Sequence, residues 1–164
     1  LLLGSTVAST ALIAIFLMFA IFAAGMLFFG VRIEGSVAGF VGVVIAFAFL
    51  TASVGLLLAA LGNNPEATRG LAIFITLLLV MLGGAWVPSF VFPEWLQSVS
   101  LWVPTRWAID GLAAMTWRGL GFEAALAPIG VMLGFSAVLF SVTGSGRLCG
   151  SFTSPENATR APSL

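Results

Sequence analysis

The sequence predicts an all-α membrane protein, a polytopic helical bundle with four transmembrane helices and a re-entrant helical hairpin before the last one. Composition indicates the class, because 60% of the 164 residues are hydrophobic and only 7% are charged, unlike soluble domains. Charged residues also divide the chain into four apolar runs, each long enough to cross a hydrocarbon core of about 30 Å. A third observation is a Trp-rich segment broken by prolines, at residues 82–112, between the last two runs.

The four apolar runs are expected to be α-helices. In lipid a backbone must satisfy its own hydrogen bonds, and runs such as FVGVVIAFAFL lack the alternating polar residues of a membrane β-strand. The polar segments RIEG and GNNPEATRG separate the first three runs, and in the second segment Gly62 is expected to cap one helix and Pro65 to open the next turn. The predicted helices run from about Gly4 to Val31, Ser36 to Leu61, Gly70 to Pro88 and Ala124 to Thr143.

The segment between the third and fourth runs is predicted to form two short helices. Its parts PEWLQSVSLW and TRWAIDGLAAMTWRG are too short and too polar to span a membrane. Pro93 suits the first turn of one helix, with Glu94 beside its positive end. Pro104 is expected to stop that helix and Thr105 to cap the next. The result is a helical hairpin that dips into one leaflet and lies at the water interface.

Charges and tryptophans mark this hairpin as the candidate functional surface. Arg106 and Asp110 are four residues apart, the spacing of an ion pair on a helix, and Arg118 is placed further along the same face. We expect a structural ion pair here rather than a cargo contact. Tryptophan prefers the headgroup boundary, and all five tryptophans of the chain are expected at that depth: Trp86, Trp95, Trp102, Trp107 and Trp117.

Residue types that the sequence lacks exclude several functions for this chain. Without lysine it has no phosphate-binding GxxxxGK[ST] loop, so an ATP-driven motor must be another domain or subunit. Without histidine and with one cysteine, we expect no metal site, no bound cofactor and no catalytic triad. The predicted spans carry no charge at their midplane, which disfavours an ion-coupled carrier. Zero net charge, with all six cations being arginine, gives no polybasic patch for nucleic acid or anionic lipid. We therefore expect no nucleic-acid partner, and membrane lipid only as the surroundings of the apolar runs.

The segment at residues 82–119 closely resembles the C-terminal signature of type-2 ATP-binding-cassette export permeases, which reads approximately LSGxxFP, then PxWLQ, then PxxxxxDxLR. The earlier stretches LFFGVRIEGS and GLLLAALGNNPEATRG also resemble this family, and the resemblance covers roughly residues 1 to 145. The matching signature residues are Leu82, Gly83, Gly84, Pro88, Pro93, Glu94, Trp95, Leu96, Gln97, Pro104, Trp107, Asp110, Gly111, Arg118 and Gly119.

The resemblance implies an arrangement for the chain. The four predicted spans would be the last four of six, with the first two spans and the elements that grip the ATPase before Leu1. The hairpin would be extracellular, and residues 62–70 and the C-terminus cytoplasmic. The arginines alone do not decide this orientation, since three fall on each side. We expect a membrane domain at 1–147 and a cytoplasmic, disordered tail at 148–164.

The function implied by the resemblance is that of a permease subunit of an ATP-driven exporter in the cytoplasmic membrane. Two permease chains, identical or different, would enclose the path, and separate ATP-binding-cassette subunits would bind ATP and Mg²⁺. The expected cargo is amphiphilic: a drug-like molecule, as in multidrug efflux, a lipid or a glycolipid. Export of a polysaccharide or lipid-linked glycan stays an alternative, and so does a non-transporting scaffold or an ion-coupled carrier.

Two sets of residues are the candidates for this function. The loop between the second and third spans is expected to contact the ATPase through Asn64, Glu66 and Arg69. The hairpin is expected to act as an external gate, and interfacial anchoring is its simpler alternative. The candidate gate residues are Pro93, Glu94, Trp95, Pro104, Arg106, Trp107, Asp110 and Arg118.

Overall fold

The computed structural model describes residues 2–61, 64–87 and 91–150. The regular structure of these residues is helical. Four of these helices are long and apolar enough to cross a membrane, by length and composition, and they are α1, α2, α3 and α6 in chain order. The all-α polytopic bundle is thereby confirmed, with two short helices between its last two spans. The helices are α1 (Leu2–Phe29), α2 (Val37–Leu61), α3 (Pro65–Leu82), α4 (Glu94–Ser100), α5 (Pro104–Thr116) and α6 (Glu123–Gly150).

The start of α3 differs from the sequence prediction, because the helix begins at Pro65 rather than near Gly70. The Asn64 side chain accepts a hydrogen bond of 2.8 Å from the backbone N–H of Ala67. Pro65 then occupies the first helical turn, where its missing N–H costs nothing. The cap and the proline outweigh the polar composition that suggested a loop, so most of that loop is helix. Gly62, the expected cap of α2, lies outside the described residues.

The end of α3 also comes earlier than expected, at Leu82 rather than Pro88. Gly84 has a φ of 85°, a left-handed conformation that glycine adopts without strain. The chain therefore leaves the helix axis at this point. Pro88 lies outside the described residues.

The last helix, α6, continues to Gly150, beyond the predicted end near Thr143. The proposed boundary between a membrane domain and a tail, at residues 147 and 148, falls inside this helix. Residues 151–164 lie outside the described residues, so the division into domain and tail stays a prediction.

Helix α2 lies at the centre of the bundle and packs against α1, α5 and α6. The ring of its Phe40 meets the ring of Phe22 on α1 edge to face, with centroids 4.6 Å apart. Because the short helix α5 contributes to the same buried cluster, it is part of the core and does not lie on its surface. The buried cluster consists of Phe40, Val43, Val44, Ala46 and Leu50 of α2, Ala108, Ala114 and Met115 of α5, and Ala125 and Met132 of α6.

Glycines allow these helices to approach closely. A Cβ atom on Gly39 would lie 2.6 Å from Sδ of Met115, and one on Gly42 would lie 2.8 Å from Cδ1 of Ile129. Small residues commonly have this role between membrane helices. Helices α5 and α6 can therefore pack this close to α2 because α2 has glycine, which has no side chain, at both contacts.

The crossing of three helices at Gly111 gives a testable prediction. A Cβ atom on Gly111 of α5 would lie 3.0 Å from Cβ of Pro128 on α6 and 3.2 Å from both methyl groups of Val43 on α2. Gly111→Val should therefore lower the free energy of unfolding by about 1–3 kcal/mol, the usual effect of overpacking. The measurement is thermal unfolding of the purified protein in detergent.

Gly134→Val is the matched control, because nothing lies within 4 Å of a Cβ atom at Gly134 of α6. Equal unfolding temperatures for the two variants would show that the α2–α5–α6 crossing is looser than described.

Candidate functional site

The candidate site is the hairpin formed by α4 and α5, which joins the spans α3 and α6. Helix α4 has 7 residues and α5 has 13, so α5 is only about 20 Å long at 1.5 Å per residue and cannot cross the membrane core. The buried residues of α5 pack against α2 and α6. The hairpin is therefore inserted into one end of the bundle.

Arg106 attaches the start of α5 to the end of α4. Its Nη1 atom donates hydrogen bonds to the backbone oxygen of Gln97, at 2.7 Å, and to Oγ of Ser100. Ser100 is fully buried, and its hydroxyl donates to the same Gln97 oxygen at 2.8 Å. The last carbonyl groups of a helix lack partners within the helix and attract positive charge. A guanidinium therefore completes the C-terminal end of α4.

The ion pair between Arg106 and Asp110 is present, with 3.5 Å between Nε and Oδ2. Nε makes no hydrogen bond with any residue that the structure describes, so the contact is purely electrostatic. The Asp110 side chain is 46% exposed, and such a pair contributes about 0.5 kcal/mol. The hydrogen bonds to α4 hold Arg106 more strongly than the ion pair with Asp110 does. The spacing of residues along one helix does not predict these bonds, because they join two helices.

Thr105 connects α5 to the end of α3. Its hydroxyl donates a hydrogen bond of 2.6 Å to the backbone oxygen of Leu79, which lies 26 residues earlier in the chain. A Cβ atom on Gly83 would lie 2.6 Å from the same hydroxyl oxygen, so a glycine is needed where α3 meets α5. The LGG part of the signature thus allows a contact between helices.

The expected roles of Pro104 and Thr105 at the helix ends are therefore wrong. The N-cap of α5 is Val103, without a side-chain capping bond, and Pro104 stands in the first turn of α5. Helix α4 already ends at Ser100, where Trp102 and Val103 turn back onto Val99 and Ser100 through backbone hydrogen bonds of 3.1 and 3.0 Å. Proline begins the second helix and does not end the first.

The start of α4 differs by one position from the prediction, which had Pro93 in the first turn of the helix. Pro93 is the N-cap, and its backbone oxygen accepts hydrogen bonds from the N–H groups of Leu96 and Gln97 at 2.9 and 3.0 Å. Glu94 lies in the first turn, where the helix dipole favours an acidic side chain. The Gln97 side chain donates to the Phe92 oxygen at 2.8 Å. These contacts fix where the short helix begins.

The tryptophans divide into two groups. Trp107 is half-buried, and its indole N–H donates a hydrogen bond of 2.9 Å to the Leu101 oxygen, so it braces the turn between α4 and α5. The others present exposed indole rings around the hairpin, as expected for residues at a membrane interface. These exposed tryptophans are Trp86, Trp95, Trp102 and Trp117.

The end of α5 holds the connection between α1 and α2, a contact that the sequence analysis missed. The backbone N–H groups of Glu34 and Gly35 donate to the oxygens of Thr116 and Met115 at 3.1 and 3.0 Å. A Cβ atom on Gly35 would lie 2.7 Å from the Leu120 oxygen. The RIEG segment is therefore a partner for the last carbonyl groups of α5, and Gly35 was the one signal for it in the sequence.

Arg118 does not share a helical face with Arg106 and Asp110, although their spacing suggested that it would. Helix α5 ends at Thr116, and Arg118 lies in the turn that follows, where its N–H donates to the Ala113 oxygen at 3.1 Å. Its side chain is exposed. Arg118 is thus part of the hairpin but not of its charged face.

The second candidate set lies at the opposite end of α3 from the hairpin. Asn64 caps α3, and Glu66 and Arg69 are exposed on its first turns. Glu66 and Arg69, but not Asn64, line a shallow pocket with Pro65, Gly70 and Ile73. These polar side chains are therefore held by a helix rather than by a loop.

The ABC-2 type transporter family model matches residues 1–117. The chain belongs to this family. The matched range includes α1 to α5 and most of the hairpin, so family membership extends over the elements that position the candidate site. No solved structure matches the chain significantly.

Two curated relatives are permeases. A linearmycin resistance permease protein of Bacillus subtilis is 26% identical over 107 residues, which are 65% of this chain and 28% of that protein. An inner membrane transport permease of Escherichia coli is 28% identical over 113 residues, 69% of this chain and 30% of that protein. The chain therefore spans less than a third of the length of these relatives.

Removal of the Arg106 side chain should loosen α4. In Arg106→Ala the Gln97 oxygen and the buried Ser100 hydroxyl lose a charged donor, a loss of about 1.5–3 kcal/mol. Amide hydrogen exchange in α4 should accelerate by roughly tenfold or more. Exchange can be followed by mass spectrometry of the purified protein in nanodiscs.

Arg118→Ala serves as the control, because that exposed side chain should leave the exchange of α4 unchanged. The assignment of Arg106 as the link between α4 and α5 would be wrong if both variants gave the exchange rates of the wild type.

Proposed function

We propose that this chain is the C-terminal membrane part of the permease subunit of an ATP-driven exporter, which moves an amphiphilic molecule out across the cytoplasmic membrane. The observation that carries the proposal is the family match over α1 to α5. The relatives named as a resistance permease and a transport permease support it. The described spans also carry no charge near their centres, as expected where no ion is coupled to transport.

The motor in this proposal is a separate ATP-binding-cassette subunit, since a chain without lysine has no phosphate-binding loop of the usual kind. That subunit would bind ATP and Mg²⁺. Its docking site on this chain would include the start of α3, where Asn64 holds the helix end and Glu66 and Arg69 are exposed. A second permease chain, identical or different, would complete the path.

The hairpin of α4 and α5 would be the outer gate. Arg106 links it to the end of α4, and Thr105 to the end of α3. Gly35 links its far end to the connection between α1 and α2. A movement of α5 would therefore displace the ends of three other segments together, which favours a gate over simple interfacial anchoring.

Purification of the complete, tagged permease in mild detergent tests the proposal. We expect a stoichiometric ATP-binding-cassette subunit, and ATP hydrolysis that increases when an amphiphilic compound is added. Arg69→Glu should reduce the amount of the ATPase retained, because it reverses a charge at the proposed docking site. Arg118→Glu, the same change at the hairpin, should retain it fully. A permease that purifies alone and without ATP hydrolysis would contradict the proposal and favour a membrane scaffold.

The proposed orientation predicts which cysteines an impermeant reagent can reach. In a cysteine-free background, Ser98→Cys on the exposed face of α4 should react with an impermeant maleimide added to intact cells. Arg69→Cys at the start of α3 should react only after lysis. The reverse pattern would overturn the orientation and with it the gate.

A further inference from the structure

A groove of about 370 Å³ lies between α1, α2 and α6, outside the hairpin. It is open on one side and its lining is almost entirely apolar. Small-molecule sites commonly measure about 300–1,000 Å³ and combine an apolar lining with a few polar groups. The groove has this size and composition. Val7 of α1, Phe49 and Ser53 of α2, and Leu133 and Ser136 of α6 are among its lining residues.

The Ser53 hydroxyl is the unusual feature of this groove. Ser53 is 2% exposed and lines the groove, and no hydrogen bond joins its hydroxyl to another described residue. A serine within a helix ordinarily donates to the carbonyl four residues earlier. Ser136 does so on the facing helix, at 2.8 Å from the Met132 oxygen. Since Ser53 Oγ is not one of the described atoms that are fully buried without a partner, its hydroxyl is accessible from the apolar groove as a hydrogen-bond donor.

The depth of Ser53 narrows the class of molecule that would accept this hydrogen bond. Helix α2 ends at Leu61, so Ser53 lies about 12 Å from that end at 1.5 Å per residue. This places the hydroxyl inside a hydrocarbon core about 30 Å thick, where water is not available as a partner. A phospholipid carries its ester oxygens at the surface of that core and would offer only methylene groups at this depth.

We propose that this groove binds, from within the membrane, an amphiphile that carries a carbonyl or hydroxyl oxygen part-way along its apolar body. The apolar body lies along α1, α2 and α6, and the oxygen accepts the hydrogen bond from Ser53. The site deepens the proposed transport function, and rests on it, because it names the chemical class of the cargo.

Two fatty acids serve as matched probes. 10-Oxostearate and stearate differ by one carbonyl oxygen placed part-way along the chain. The complete permease, without other cysteines and carrying Ala137→Cys in the groove lining, is placed in nanodiscs. The measured quantity is the rate at which an apolar maleimide alkylates this thiol at increasing concentrations of each probe.

We expect 10-oxostearate to slow the alkylation at a concentration about fivefold lower than stearate, the effect of one hydrogen bond. Ser53→Ala should abolish the difference between the probes. Ser145→Ala, on an exposed part of α6, should preserve it. Ala8→Phe, which fills the groove and leaves Ser53 intact, should abolish protection by both probes.

Equal protection by both probes in the wild type would overturn the proposal and indicate a site for plain lipid chains. Protection by neither probe, or a thiol that does not react, would overturn it in favour of a groove covered by another helix. The assay measures binding without ATP. If the permease purifies without an ATPase but is still protected at a lower concentration of 10-oxostearate than of stearate, the result would contradict the transport function and leave the binding site supported.

Discussion

Backbone carbonyl groups at the ends of short helices need hydrogen-bond partners, and where such a helix packs into a bundle the neighbouring segments must supply them. Helix α5 meets this constraint in both directions. Thr105 and Arg106, in its first turn, bond to carbonyl groups near the ends of α3 and α4. At its other end, Glu34 and Gly35 bond to the carbonyl groups of α5 itself. These bonds make the hairpin a part of the bundle.

The spans could be predicted because hydrocarbon tolerates so few charges that Arg32, Glu34 and Glu123 are found only outside or at the ends of the apolar helices. The same reasoning placed the start of α3 too late, since it took the polar residues before Gly70 for a loop. Asn64 and the proline beside it start a helix there by local hydrogen bonding and fixed geometry. Local chemistry at helix ends was the stronger determinant.

The candidate site was predicted in its location but not in its contacts. The i,i+4 spacing gave the pair of Arg106 and Asp110, because both lie on one helix. The bonds of Arg106 to α4 and of Thr105 to Leu79 depend on how separate helices pack. The free hydroxyl of Ser53 depends likewise on a groove formed by three helices. Packing of this kind has no signature in local spacing.

The central claim is that α5 joins the connection between α1 and α2, the end of α3, and α4 into one unit. Hydrogen exchange of the complete permease in nanodiscs, at a pH where reclosing is slower than exchange, tests it most directly. The account predicts that amides at 34–36, 83–85 and 94–100 gain deuterium together, as one correlated population. Independent exchange of the three segments, each at its own rate, would contradict it.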